Sequence, residues 1–131
     1  MKLLNLPLFI LLFLFSAHAV ADPIDNIAGL IRQGNTHELS QLFASNIEIA
    51  IMGDENFYSS TQGGILLGKF FDENKPKSVK ILHKVDSNPN YLFGVVFLNT
   101  DKGVYRIAFT LNKIGGEMKI IELRIETEKT K

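Results

Sequence analysis

Apolar positions fall at helical spacing over the first part of the folded chain and at alternating spacing over the second. Ile24, Ile27, Leu30 and Ile31 share one helical face. Asp22 precedes them as a cap, Pro23 takes the first helical position, and Gly34 supplies the stop. Asn35 and Glu38 stand three apart as a capping box before a second helix with a stripe of Leu39, Leu42 and Phe43. Ser59 and Gln62 repeat that spacing before a third helix. Its face carries Leu66, Leu67, Phe70 and Phe71, and it ends ahead of Pro76. Between the second and third helices, Ile47, Ile49 and Ile51 alternate with Glu48, Ala50 and Met52, which predicts a strand. A short strand at Phe57-Tyr58 is expected to pair with it across Gly53 to Asn56.

After Pro76 the period is two. Val79, Ile81, His83 and Val85 alternate with Lys80, Leu82 and Lys84. Asn88-Pro89-Asn90 turns the chain. Tyr91 to Leu98 is apolar on both faces and is placed centrally in the sheet, and Asp101 to Gly103 turns the chain again. Val104 to Leu111 and Met118 to Thr127 complete four antiparallel strands. Matching apolar rows fixes the register of the last two. A three-residue loop, Gly115 to Glu117, pairs Phe109 with Leu123, Ile107 with Ile125, Arg106 with Glu126 and Thr110 with Glu122. The inner face then carries Ile81, His83, Ile107, Phe109, Leu123 and Ile125. The outer face carries Lys80, Lys84, Arg106, Glu122, Arg124 and Glu126.

The elements predict an α+β domain, with helices covering the apolar face of the sheet. Their order is similar to that of the nuclear-transport-factor-2-like fold, in which a cone of bent sheet wraps over helices. The segments FYSSTQ (57–62), GKFF (68–71), KSVKILH (77–83), YLFGVVF (91–97), GVYRIAF (103–109) and IIELRIE (120–126) narrow the likeness. In their order and spacing the chain resembles a family of small exported bacterial proteins known as domain of unknown function 4783. The resemblance implies three N-terminal helices on a curved antiparallel sheet of four to six strands, in one domain over residues 22–131. It implies no activity. One departure is Gly63-Gly64, where the family's third helix has better helix formers.

Ahead of this domain stands a different kind of segment. Lys2 gives a positive start, Leu8 to Phe15 is unbroken apolar sequence, and Ala17-His18-Ala19-Val20-Ala21 offers A-x-A cleavage sites. That order reads as a secretory signal peptide over residues 1–21, with cleavage after Ala21. The apolar core is shorter than the roughly 20 residues that span a bilayer. The expectation is export to a periplasm or beyond, with no membrane anchor after cleavage. The chain has no cysteine, which removes disulfides and cysteine-linked lipid. Its 14 basic and 14 acidic residues balance, so no net field attracts nucleic acid.

Candidate chemistry is sparse. Gly63 to Lys69 (GGILLGK) fits the first seven places of a phosphate-binding loop, but Phe70 stands where Ser or Thr would reach magnesium. Its apolar residues suit a helix face, and the glycines suit close packing of that helix. No metal site, cofactor or catalytic set is assigned. His83 is the histidine on the predicted inner face, and Tyr58, Tyr91 and Tyr105 are candidates to line a cleft with it. The reading favours a non-enzymatic module that binds a small apolar ligand or a protein partner. The alternatives are a pocket enzyme of isomerase or dehydratase type using His83, and a structural homodimer. Arg106, Arg124, Glu122 and Glu126 are the candidate interface through the sheet.

Overall fold

The computed structural model describes residues 22–128. The signal-peptide reading and the cleavage point after Ala21 lie outside the described residues. Two helices, α1 (Pro23–Gln33) and α2 (Thr36–Gln41), lead into the strands β1 (Phe43–Ile51) and β2 (Asp54–Ser59). Helix α3 (Ser60–Glu73) follows. The strands β3 (Pro76–Asn88), β4 (Tyr91–Thr100), β5 (Gly103–Ile114) and β6 (Glu117–Thr127) close the chain. The third helix therefore sits between strands rather than in an N-terminal group of three. None of the described helices is long and apolar enough to cross a membrane.

All three expected caps form. The Asp22 carboxylate accepts from the backbone N–H of Ile24 at 2.8 Å and of Asp25 at 3.5 Å. Asn35 Oδ1 accepts from the N–H of Glu38, and Ser59 Oγ from that of Gln62. Gly34 ends α1 with φ of 65°, in the left-handed region. Helix α2 stops two residues short of the end of its expected stripe. Leu42 is its C-cap and Phe43 begins β1, because both are drawn into the sheet junction: Leu42 C=O accepts from the N–H of Ile120 at 2.7 Å.

The six strands form one curved sheet in the order β2-β1-β6-β5-β4-β3. It is mixed rather than antiparallel, because β1 runs parallel to β6. The β1–β2 hairpin turns through Met52-Gly53, with φ of 51° and 87°, instead of the longer Gly53–Asn56 loop. Such paired positive φ values match the twist of a two-residue hairpin. The β5–β6 register has Phe109 beside Leu123, Ile107 beside Ile125, Arg106 beside Glu126 and Thr110 beside Glu122, as the apolar rows require. The spare residue is accommodated differently from the expected three-residue loop. The turn is Gly115-Gly116, and the ladder slips between Thr110 and Leu111, leaving Ile121 as the extra residue.

A second slip matters more. Ile81 pairs with Val96 but His83 pairs with Val95, so Leu82 is an extra residue in β3. One inserted residue reverses the alternation beyond it. His83 therefore leaves the inner face and is exposed, and Lys84 leaves the outer face. Lys84 Nζ reaches Asp22 Oδ2 at 2.9 Å and Asp25 Oδ1 at 3.0 Å, tying β3 to the start of α1.

The core lies between the helices and the inner sheet face. It gathers Ile24, Ile27 and Ile31 from α1, Leu39 from α2, and Leu67, Phe70 and Phe71 from α3. From the sheet it gathers Ile47, Ile49, Val96, Ile107, Phe109, Leu123 and Ile125. Its centre is the row Gly94–Phe109–Leu123–Ile49. A Cβ on Gly94 would stand 2.7 Å from Phe109 Cζ and 3.0 Å from Ile24 Cγ2. The Phe109 ring thus occupies the space that a larger residue would need.

Replacing Gly94 by Ala is expected to destabilise by about 1–3 kcal/mol through overpacking, read from urea unfolding. The Lys84 ammonium, followed by the two backbone N–H groups, holds the Asp22 carboxyl below its usual range. The same contacts, first with Asp22 and then with Asp25, raise Lys84. The Asp22 contribution is complete above the ordinary carboxylate pKa and is lost as pH falls through the lowered value. The Lys84 contribution is complete below the ordinary lysine pKa and is lost as pH rises through the raised one. Asp22→Ala should cost about 1 kcal/mol at neutral pH, with the difference from wild type shrinking in acid.

Candidate functional site

Pinning Phe109, Ile107, Leu123 and Ile125 inward forces their neighbours onto the opposite face, where the described residues place no helix. Three rows cross this open face. The first is Lys80, Phe97, Arg106 and Glu126. The second is His83, Val95, Ala108, Arg124, Ala50 and Glu55. The third is Val85, Phe93, Thr110, Glu122, Glu48 and Phe57. Small residues hold the middle. Val95 is 1 %, Ala50 3 % and Thr110 5 % exposed, although none of the three belongs to the core beneath the helices. Aromatic residues stand around them, with Phe93 and Phe97 half-buried and Phe57 66 % exposed.

A depression of about 290 Å³ opens at the centre, lined by Phe93, Arg106, Ala108, Glu122, Arg124 and Glu126. The four charged residues expected at an interface are thus brought together. Arg124 spans two of its neighbours, with Nε 3.2 Å from Glu122 Oε2 and Nη2 3.5 Å from Glu55 Oε1. Glu48 lies directly across from Glu122 and diagonally from Glu55. Sharing hydrogen-bonding distance with Glu55 raises the Glu48 carboxyl above its ordinary pKa. The charges of Glu55 and Glu122 add to this, and Arg124 offsets part of it. Three carboxylates therefore crowd one guanidinium, which pairs with two of them.

The candidate ligand-binding residues are not brought together. Tyr58 packs against the edge of the core on β2. Tyr105 stands at the far end of β5, where its hydroxyl donates to Asn74 Oδ1 at 2.7 Å and its ring meets Phe70 edge-on at 5.0 Å. Tyr91 is 47 % exposed at the start of β4, on the opposite face from the core row. His83 is exposed on that same face beyond the Leu82 slip.

The GGILLGK segment lies wholly within α3. An added Cβ on Gly63 would meet Ile49, Ile47 and Phe43 at 3.1–3.3 Å, and one on Gly64 would meet Ser40 Cβ at 2.8 Å. The glycines let α3 close on β1 and α2. Two shallow hollows flank that contact, of about 660 Å³ between α2 and α3 and about 580 Å³ beside β1. They share Ser40 and Thr61. Their linings mix hydroxyls, a lysine each and apolar side chains such as Phe43, Ile114 and Ile65, without the strand-loop-helix geometry of a phosphate cradle.

The sequence profile of the domain of unknown function DUF4783 matches residues 24–126. The chain belongs to the DUF4783 family. The crystal structure of a DUF4783 protein from Bacteroides uniformis is similar with a TM-score of 0.78 and 18% identity. It covers 83% of this chain and 100% of that one. A domain of unknown function with a cystatin-like fold from Nostoc punctiforme has a TM-score of 0.64 at 12% identity, over 85% and 81% of the two chains. The design Rd1NTF2_04 with long sheet has a TM-score of 0.63 at 14% identity, over 78% and 94%. No curated protein matches. The DUF4783 domain is therefore α+β with an NTF2-like and cystatin-like architecture.

Sequence reasoning missed Glu48, Glu55 and Phe93 as parts of this face. Alternation in Ile47–Ile51 does point Glu48 away from the core. Its neighbourhood depends on the parallel contact of β1 with β6, which no local pattern announces. Removing the crowded charge with Glu48→Gln should raise the urea midpoint at pH 7. The gain should vanish well below pH 4.5, where the wild-type carboxyl is protonated.

Proposed function

We propose that this DUF4783 protein is an exported, non-enzymatic module that binds a protein partner through the open face of its sheet. The observation that carries the reading is the central depression, lined by Arg106, Arg124, Glu122 and Glu126 together with Phe93 and small Ala108. Arginine and aromatic residues are the types enriched where proteins meet. Export rests on the 1–21 segment, which stands outside the family match.

Two observations favour this over catalysis or an enclosed apolar ligand. The buried core of the described residues holds no carboxylate or imidazole, so it offers no acid or base to a substrate inside the cone. The centre of the cone is occupied by the chain's own side chains, with Phe109 seated against Gly94 under Ile24.

A photo-activated cross-linking residue placed at Phe93 or Ala108, in the cells that make the protein, should yield protein adducts. The same group at Ile65, which is 69 % exposed on α3, should not. Absence of adducts from the sheet positions, or equal yields from all three, would refute the assignment of this face.

A further inference from the structure

We infer that the partner presents an acidic amphipathic helix, laid along β4 with its apolar stripe on Phe93, Val95 and Phe97 and its carboxylates reaching Lys80 and Arg106. This rests on the binding-face reading and names the chemistry of the occupant. The solvent side of an antiparallel sheet is normally polar, and β4 departs from that rule. Its inward residues Leu92, Val96 and Leu98 join the core. Its successive outward residues Tyr91, Phe93, Val95 and Phe97 are aromatic or apolar as well. Val85 extends the strip onto β3, and both Val85 and Tyr91 are exposed. A contiguous apolar strip of this kind marks a surface that another molecule covers.

Cations border the strip on both sides. Phe97 stands between Lys80 of β3 and Arg106 of β5, and His83 stands beside Val95. All three are exposed, and none of the ion pairs among the described residues uses them. No carboxylate stands at the outward positions that pair across β3, β4 and β5. The next strand, β6, carries Glu126 and Glu122 with Arg124, while its Lys119 pairs with Glu117. Those carboxylates repel an acidic segment and so confine it to the β4 side. The spacing selects a helix. Lys80 and Arg106 lie two strand spacings apart, about 10 Å, which is the width of a helix with its side chains. Outward residues of β4 recur about every 6.8 Å, close to the roughly 6 Å between i and i+4 on a helix. A helix also carries polar side chains along both flanks of its apolar stripe. An extended strand turns alternate side chains away from the surface and cannot flank its own apolar row in this way.

Two synthetic helical peptides of about 18 residues test the chemistry, each with a leucine stripe, one flanked by glutamates and the other by lysines. In fluorescence anisotropy the glutamate peptide should bind the protein about 10-fold more tightly than the lysine peptide, or better. Lys80→Glu combined with Arg106→Glu should reverse that preference. Lys69→Glu, on exposed α3, should leave it unchanged. Circular dichroism of each variant should match wild type. Equal affinities, a preference for the lysine peptide, or no binding of either at about 100 µM overturns the inference. So does a preference that survives the double charge reversal. In cells, adducts from the cross-linker at Phe93 should fall when both charges are reversed. If adducts form but do not fall, or join two copies of this chain, the acidic helix is overturned and the binding face stands. Absence of adducts from the sheet positions overturns both.

Discussion

The ring of Phe109 fills the space above Gly94, and this contact fixes both faces of the sheet. It places β5 against β4 with no gap beneath Ile24, and it holds the row that continues through Leu123 to Ile49. A pleated strand cannot turn one residue inward without turning its neighbours outward. Burying Phe109 therefore sends Ala108 and Thr110 to the open side, and burying Leu123 sends Glu122 and Arg124 there. The chemistry of the open face is a consequence of how the core is packed.

That face is built from parts that do not meet in the sequence. Glu48 and Glu55 belong to the first hairpin, Glu122 and Arg124 to the last strand. The parallel contact of β1 with β6 brings them within reach of one another. The result is uneven: Arg124 is divided between Glu122 and Glu55, while Glu48 is left beside like charge. An exposed arrangement of this kind adds little to stability. In the contact proposed for this face, the distribution of charge would set which surface can approach and in which orientation.

Local signals carried most of the fold. The caps at Asp22, Asn35 and Ser59 were readable because each depends on residues within three positions of one another. The β5–β6 pairing was readable because two apolar rows must coincide. What was not readable involves residues that are counted rather than typed. Leu82 and Ile121 are ordinary strand residues, and nothing in their identity marks them as the extra ones. The consequence at Leu82 was large, since it moved His83 out of the proposed cleft and brought Lys84 in to Asp22. The tyrosines were chosen by type, and Tyr58, Tyr91 and Tyr105 proved to belong to three separate neighbourhoods. Arg106, Glu122, Arg124 and Glu126 were chosen by position on alternating strands, and they came together around one depression.

The slip at Leu82 also bears on how copies of this protein avoid one another. Strand β3 is an edge, 13 residues long, and an edge of that length left flat would offer a row of free backbone groups to any passing strand. Its pairing with β4 is irregular at three points, and Lys77, Lys80 and Lys84 are spaced along it. Irregular, lysine-rich edges resist strand-by-strand growth into fibrils. The opposite edge, β2, is only six residues long and runs straight into α3. With both borders guarded, open-ended polymerisation is discouraged, and what remains open to contact is the bounded outer face of the sheet.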